Sequence, residues 1–299
     1  MVIAMSDEKL LGHALDLSRR GHDEAAGRIL TRLAEAGDAE AAARLGELYT
    51  IGYLDCDAPQ KTAIRWFEQA ARGGSPRGAL HYALELDDPE EGDPEAAKPW
   101  YEAARKGLEQ AAAADDGASQ YLLSKMHMYG WGVPEDKSRG VNLMEQASLK
   151  GDLEAKFYLG HWYWDLPERT DEQKTTAIRL WREAAEGGLM SAQYMLGALY
   201  ASEPDMPIDY EASVRFYRMA VENGNLEALY NLGTMYLNGE GVTKDRAYGI
   251  ALIVCAAEQG NDSAQWFLKD IYHFGTYVPM DEAEAAYWTK RSEADAEDS

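Results

Sequence analysis

The chain has 299 residues, and its 52 Asp and Glu outnumber 29 Lys and Arg to leave a formal net charge of −23. A surface so acidic lacks the basic footprint that a polyanion needs, which excludes direct nucleic-acid recognition. No segment approaches the roughly 18 uninterrupted apolar residues of a membrane helix, and Met1-Val2-Ile3-Ala4-Met5-Ser6-Asp7-Glu8 carries no apolar run long enough for a secretory signal. The chain is therefore expected to be soluble and cytoplasmic.

In chain order, residues 1–37 read as an N-terminal helical cap. Leu10, Leu11, Ala14, Leu15 and Leu17 make one apolar face, and Ala26, Ile29, Leu30, Leu33 and Ala34 make another. Arg19, Arg20, Asp23 and Glu24 interrupt them as solvent-facing residues. A repeat array is expected over 38–262. Its first repeat places Ala41, Leu45, Gly46 and Tyr49 on one helix and Ala63, Trp66, Phe67, Ala70 and Ala71 on the next. The second repeat, ending at Gly107, is degenerate, with Gly78, Tyr82, Ala83 and Leu86 in the pattern slots. Its acidic connector, Asp87 to Glu95, lacks the EF-hand order of ligands and reads as a solvated loop. Pro99 predicts that the following helix begins late or bends.

Residues 107–118 form an irregular junction. The run Ala111-Ala112-Ala113-Ala114-Asp115-Asp116-Gly117 should lengthen the preceding helix and then break it, with a change of superhelical direction. The third repeat carries Ser124 and His127 where neighbours carry glycine and tyrosine. Three regular copies follow: Ala155-x3-Leu159-Gly160-x2-Tyr163, Ala192-x3-Leu196-Gly197-x2-Tyr200 and Ala228-x3-Leu232-Gly233-x2-Tyr236. The glycines that close their second helices, Gly188, Gly224 and Gly260, stand 36 residues apart (224 − 188 and 260 − 224). A fixed period in this range marks a helical solenoid.

Each half-repeat is helical by its spacing. Alanine, leucine and tyrosine at i, i+4 and i+8 advance about 40° per step at 3.6 residues per turn, so they form one stripe. The glycine after the leucine lies off that stripe, where a missing side chain lets a neighbouring helix approach. That gain explains a residue which otherwise costs about 1 kcal/mol against alanine in a helix interior. A degenerate capping repeat over 263–291, with Ala264, Leu268, Tyr272, Tyr287 and Trp288, closes the array. The acidic tail, 292–299, is expected to be disordered.

The pattern A-x3-L-G-x2-Y, the connector G-x-G-V-x2-D seen at Gly130 to Asp136 and Gly239 to Asp245, and the alanine-rich second helix resemble the Sel1-like repeat, a relative of the tetratricopeptide repeat. That resemblance implies an all-α, right-handed α-α superhelical solenoid of Sel1-like helix pairs. It also implies that the first helices line a concave groove.

No catalytic constellation stands out. The six histidines show no H-E-x-x-H or other metal-ligand spacing, and Gly239-Glu240-Gly241 lacks the G-K-S/T ending of a phosphate loop. Cys56 and Cys255 form no C-x-x-C; they read as buried small hydrophobes in a reducing compartment. No cofactor or metal is expected, and no enzymatic activity.

What varies is the surface. With the first-helix alanine as slot zero, slots +4, +5 and +8 are nearly fixed. Slot +2 is mostly aromatic, with Tyr121, Phe157, Tyr194, Tyr230 and Trp266, and reads as core between stacked repeats. Slots +3 and +6 differ from repeat to repeat. They supply most of a candidate partner-binding groove: Arg44, Glu47, His81, Lys125, Tyr158, His161, Met195, Asn231, Thr234, Phe267 and Asp270, joined by the neighbouring Trp162. A merely tolerant surface would vary in the same way.

The resulting expectation is a non-enzymatic module that binds a protein or peptide in its groove. Among Sel1-like proteins this includes bacterial immunity proteins that sequester a toxin, and strong acidity suits a basic toxin or effector as partner. An adaptor or regulator in a signalling or secretion complex is the alternative. Sel1-like hydrolases of cell-wall or β-lactam substrates are the remaining class, and two cysteines without a signal sequence argue against it.

Overall fold

A computed structural model describes residues 6–297 apart from positions 53, 55–57, 91 and 205. The described residues form sixteen α-helices and no strand. An opening pair, α1 (Asp7–Arg19) and α2 (Asp23–Glu35), precedes seven repeats. The first four are α3 (Ala39–Thr50) with α4 (Pro59–Arg72), α5 (Pro76–Leu86) with α6 (Pro94–Ala113), α7 (Gly117–Tyr129) with α8 (Lys137–Leu149), and α9 (Leu153–Trp164) with α10 (Asp171–Glu186). The last three are α11 (Met190–Ser202) with α12 (Tyr210–Glu222), α13 (Leu226–Asn238) with α14 (Arg246–Glu258), and α15 (Asp262–Phe274) with α16 (Glu282–Glu297). The all-α solenoid of helix pairs is thus the fold that forms.

Local chemistry sets where the first helices begin. Asp38, Ser75, Asp116, Asp152, Asn225 and Asn261 each cap one, accepting a hydrogen bond from the amide three residues on. Such a cap contributes about 1 kcal/mol by satisfying an amide that the helix leaves open.

Four of the pairs then lock through a glycine in slot +5, namely Gly46, Gly160, Gly197 and Gly233. A Cβ on Gly46 would stand 2.5 Å from Phe67 Cε1, and one on Gly160 would stand 2.6 Å from Trp181 Cδ1. In these two pairs the aromatic ring of the second helix therefore occupies the space a side chain would fill. Trp181 also donates its indole N–H to the Phe157 carbonyl at 3.0 Å. Polar ties join successive repeats at nearly the repeat period: Gln69 Nε2 donates to Ala34 O at 2.8 Å, and Asn261 Nδ2 donates to Glu227 Oε1 at 2.9 Å.

The helices divide into two compact units, residues 1–187 and 188–299. The first holds the opening pair and four repeats; the second holds three repeats.

Several local expectations change. α6 begins at Pro94, before Pro99, because Asp93 caps it by accepting from the Glu95 and Ala96 amides at 3.1 and 3.2 Å. Pro99 sits on an exposed face in the second turn. At the junction α6 does run long, 20 residues, and breaks at Asp115, the one described non-glycine residue with positive φ (76°). Asp23 is not a solvent-facing interruption: it is buried and accepts from Ser18 Oγ at 2.9 Å, and burial pushes its carboxyl up. Cys255 is exposed, since Ile253, Ala256 and Ala257 take the packed side of α14; Cys56 lies outside the described residues. The tail expected to be disordered from Ser292 continues α16 to Glu297, with Ser292 buried and its hydroxyl donating to Thr289 O at 2.9 Å.

Candidate partner-binding face

On a helix of 3.6 residues per turn the packing stripe, slots 0, +4 and +8, covers about 0–80° of the wheel. Slots +3 and +6 lie near 300° and 240°. Slot −1, at about 260°, falls between them, and slot +2, at about 200°, flanks them. Slot −1 precedes the alanine with which the repeated letters begin, so the letter pattern does not mark it. The slot holds Glu40, Arg77, Ala118, Glu154, Ser191, Glu227 and Ser263, of which Arg77 and Glu154 prove central.

In the first unit this face opens with a charge network. Arg77 is only 6% exposed. Its guanidinium reaches Glu40 Oε1 at 3.0 Å and Glu47 Oε1 at 2.8 Å, tying α5 to α3. Arg44 joins the same carboxylates at 3.1 and 3.3 Å. His81 Nε2 lies 2.8 Å from Glu47 without the alignment of a hydrogen bond, and its ring stacks on Phe67 at 4.9 Å. Burial opposes charge on Glu47, yet Arg77, Arg44 and His81 together hold its carboxyl well below the usual range. Arg44, Glu47 and His81 are thus brought together, and each is engaged by the chain's own residues.

The next two repeats leave more open. Tyr121 is buried and stacks on Tyr158 at 5.8 Å, while Tyr158 itself is 46% exposed. Lys125 rests over the rings of Tyr121 at 5.7 Å and Trp131 at 5.4 Å. Desolvation lowers its ammonium, against the pull of Glu154 and Glu47. His161 packs edge-on against Phe157 at 4.6 Å and Trp181 at 5.2 Å, and burial lowers it despite Asp165. Trp162 is half-buried beside it.

In the second unit, Met195, Asn231, Thr234 and Phe267 are half-buried and Asp270 is exposed. Thr234 Oγ1 turns back to donate to Asn231 O at 2.7 Å. Phe267 lies between Tyr230 at 5.9 Å and Tyr277 at 6.0 Å. Glu227 accepts from Asn261 and Ser263, so its carboxylate is occupied.

The aromatic slot +2 corrects the sequence reading. Only Tyr121 is core; Phe157, Tyr194 and Tyr230 are half-buried, and Trp266 is 54% exposed beneath Lys269 at 4.1 Å. The reason is the 200° position, which turns these rings partly onto the variable face. Leu122, in slot +3, errs the other way and is buried.

Among the described residues no group of three or more His, Cys, Asp or Glu could hold a metal ion, and no helix is long and apolar enough to cross a membrane. Stacked helix pairs that fix one face by packing and vary another define an interaction scaffold. The chain belongs to the Sel1 repeat family, whose sequence model matches residues 39–75, 117–152, 153–189, 191–225, 226–261 and 263–293. The match passes over α1–α2 and the degenerate pair α5–α6, which fold as helix pairs all the same. The chain is similar to a Sel1 repeat protein from Oxalobacter formigenes: 27% identity, a TM-score of 0.60, 72% of this chain and 85% of that one. Weaker likenesses, of fold alone, include c5321, a protective antigen present in uropathogenic Escherichia coli (21% identity, 98% and 80% covered, TM-score 0.42). Immunity protein Pa5087 from Pseudomonas aeruginosa is another (17%, 75% and 84%, TM-score 0.45). No curated protein sequence matches the chain.

Proposed function

We propose that this chain is a non-enzymatic module that holds a protein partner against its first-helix face. One observation carries the reading. In slots that packing does not fix, the third and fourth repeats present an exposed Tyr158 and two half-buried charges, Glu154 and a Lys125 that rests over aromatic rings. Rings and desolvated charges on an accessible face are what protein interfaces use as anchors.

The net charge of −23 supports a basic partner, because opposite charge steers encounter. A cytoplasmic immunity protein that sequesters a basic toxin is the form of this function that the charge favours; a neutral partner would point instead to an adaptor. The test is a photo-crosslinking amino acid placed in cells of the source organism at Tyr158 or Lys125, and separately at Leu149 or Tyr248, exposed positions on second helices. The proposal predicts one discrete protein adduct from the first pair and none from the second. Adducts from the second pair alone would overturn it.

A further inference from the structure

In the first two repeats slot +6 of α3 meets slot −1 of α5, which gives the Glu47–Arg77 ion pair at 2.8 Å. In the third and fourth repeats the same two slots hold Lys125 and Glu154, with the signs exchanged. Here the pair stays open. Lys125 rests instead over the Tyr121 and Trp131 rings, and no ion pair joins it to Glu154 among the described residues.

Glu154 nevertheless faces this cluster. Its charge acts on Lys125, Tyr121 and Arg77 together. Asp152, which caps α9, adds a second carboxylate to the same patch. Arg77 and Arg44 are spent on Glu40 and Glu47, so two carboxylates confront one ammonium. One turn along α9 from Glu154, on the same side of the helix, stands the Tyr158 ring, stacked on Tyr121 and 46% exposed. A carboxylate beside an accessible aromatic ring is complementary to a cation.

We infer that Glu154 and Tyr158 receive an arginine or lysine side chain of the partner, its charge paired with the carboxylate and its stem or guanidinium laid on the ring. This rests on the reading of the first-helix face as the binding face. Lys125 opposes the incoming cation and sets how strongly it is held.

The test is selection of a random twelve-residue peptide library displayed on phage, with the full chain as bait. Selected peptides should be enriched in arginine or lysine. Glu154→Gln should weaken a selected peptide about tenfold, the size expected for a partly buried ion pair. Tyr158→Leu, which keeps apolar area and removes the ring, should weaken it severalfold, and Lys125→Ala should strengthen it. All variants must keep wild-type melting temperatures; Glu154→Gln removes no bond of the fold. Peptides lost with Tyr158→Leu but indifferent to Glu154→Gln, or enriched in acidic residues and lost with Lys125→Ala, would overturn this assignment and leave the binding face standing. Failure to select any peptide that depends on the first-helix face would overturn both.

Discussion

Arg77 occupies a slot where other repeats carry glutamate, serine or alanine, and its positive charge converts the start of the variable face into an internal network. Its guanidinium is buried between two carboxylates, so removing it leaves charge uncompensated rather than merely losing a contact. Arg77→Leu should cost about 3 kcal/mol in urea unfolding, while Lys125→Ala, which breaks no ion pair, should cost well under 1 kcal/mol. Acid supplies a second test. Because the folded protein holds Glu47 well below its unfolded value, the stability it contributes is complete above the ordinary glutamate range and is lost as pH falls through the folded value. The gap in unfolding free energy between wild type and Glu47→Gln should therefore be widest above about pH 5 and close in stronger acid. Asp23 and Asp152, both raised by burial, act with the opposite sign and cancel in that difference. None of this network was legible in the sequence as one feature. Arg44, Glu47 and His81 were identified by their variability, but only packing of α3 against α5 reveals that they spend their charge on one another.

Among the elements, the glycine of slot +5 was the most informative letter. Its position off the packing stripe predicted a close approach, and in the fourth repeat the partner is the Trp181 indole, lying where a Cβ on Gly160 would project. Gly160→Ala gains about 1 kcal/mol of helix propensity, yet it pushes aside a rigid ring that also donates to Phe157 O. Overpacking of about 2–3 kcal/mol should win. The variant is expected to lower the urea midpoint with an unchanged slope, and to blue- or red-shift tryptophan emission as the indole moves. Elements whose ends depend on one cap or one ring were harder to read. Asp93 starts α6 ahead of Pro99, and alternating alanines let α16 run on through an acidic stretch. The aromatic slot +2 was misjudged because it sits at the margin between packed and open surface, where rings satisfy both.

At the scale of the molecule, the repeat period and the fixed slots suffice to define the fold, since each helix pair buries its apolar stripe only by stacking on the next. The division at residue 187 was not legible: Gly188 closes a helix just as Gly224 and Gly260 do, and no letter sets it apart. Charge is also a property of the whole chain. If −23 steers a basic partner, the association rate should fall about tenfold or more between low and physiological ionic strength while dissociation changes little. A flat response would reduce the charge to a solubility device.

The central claim, that the first-helix face holds the partner, is tested most directly by calorimetric titration of the crosslinked protein, once identified, against three folded proteins: wild type, Glu154→Lys with Tyr158→Ala, and Leu149→Asp. The account predicts that the double variant loses at least tenfold in affinity while Leu149→Asp binds as wild type. Equal affinity for all three, or loss confined to Leu149→Asp, would contradict it.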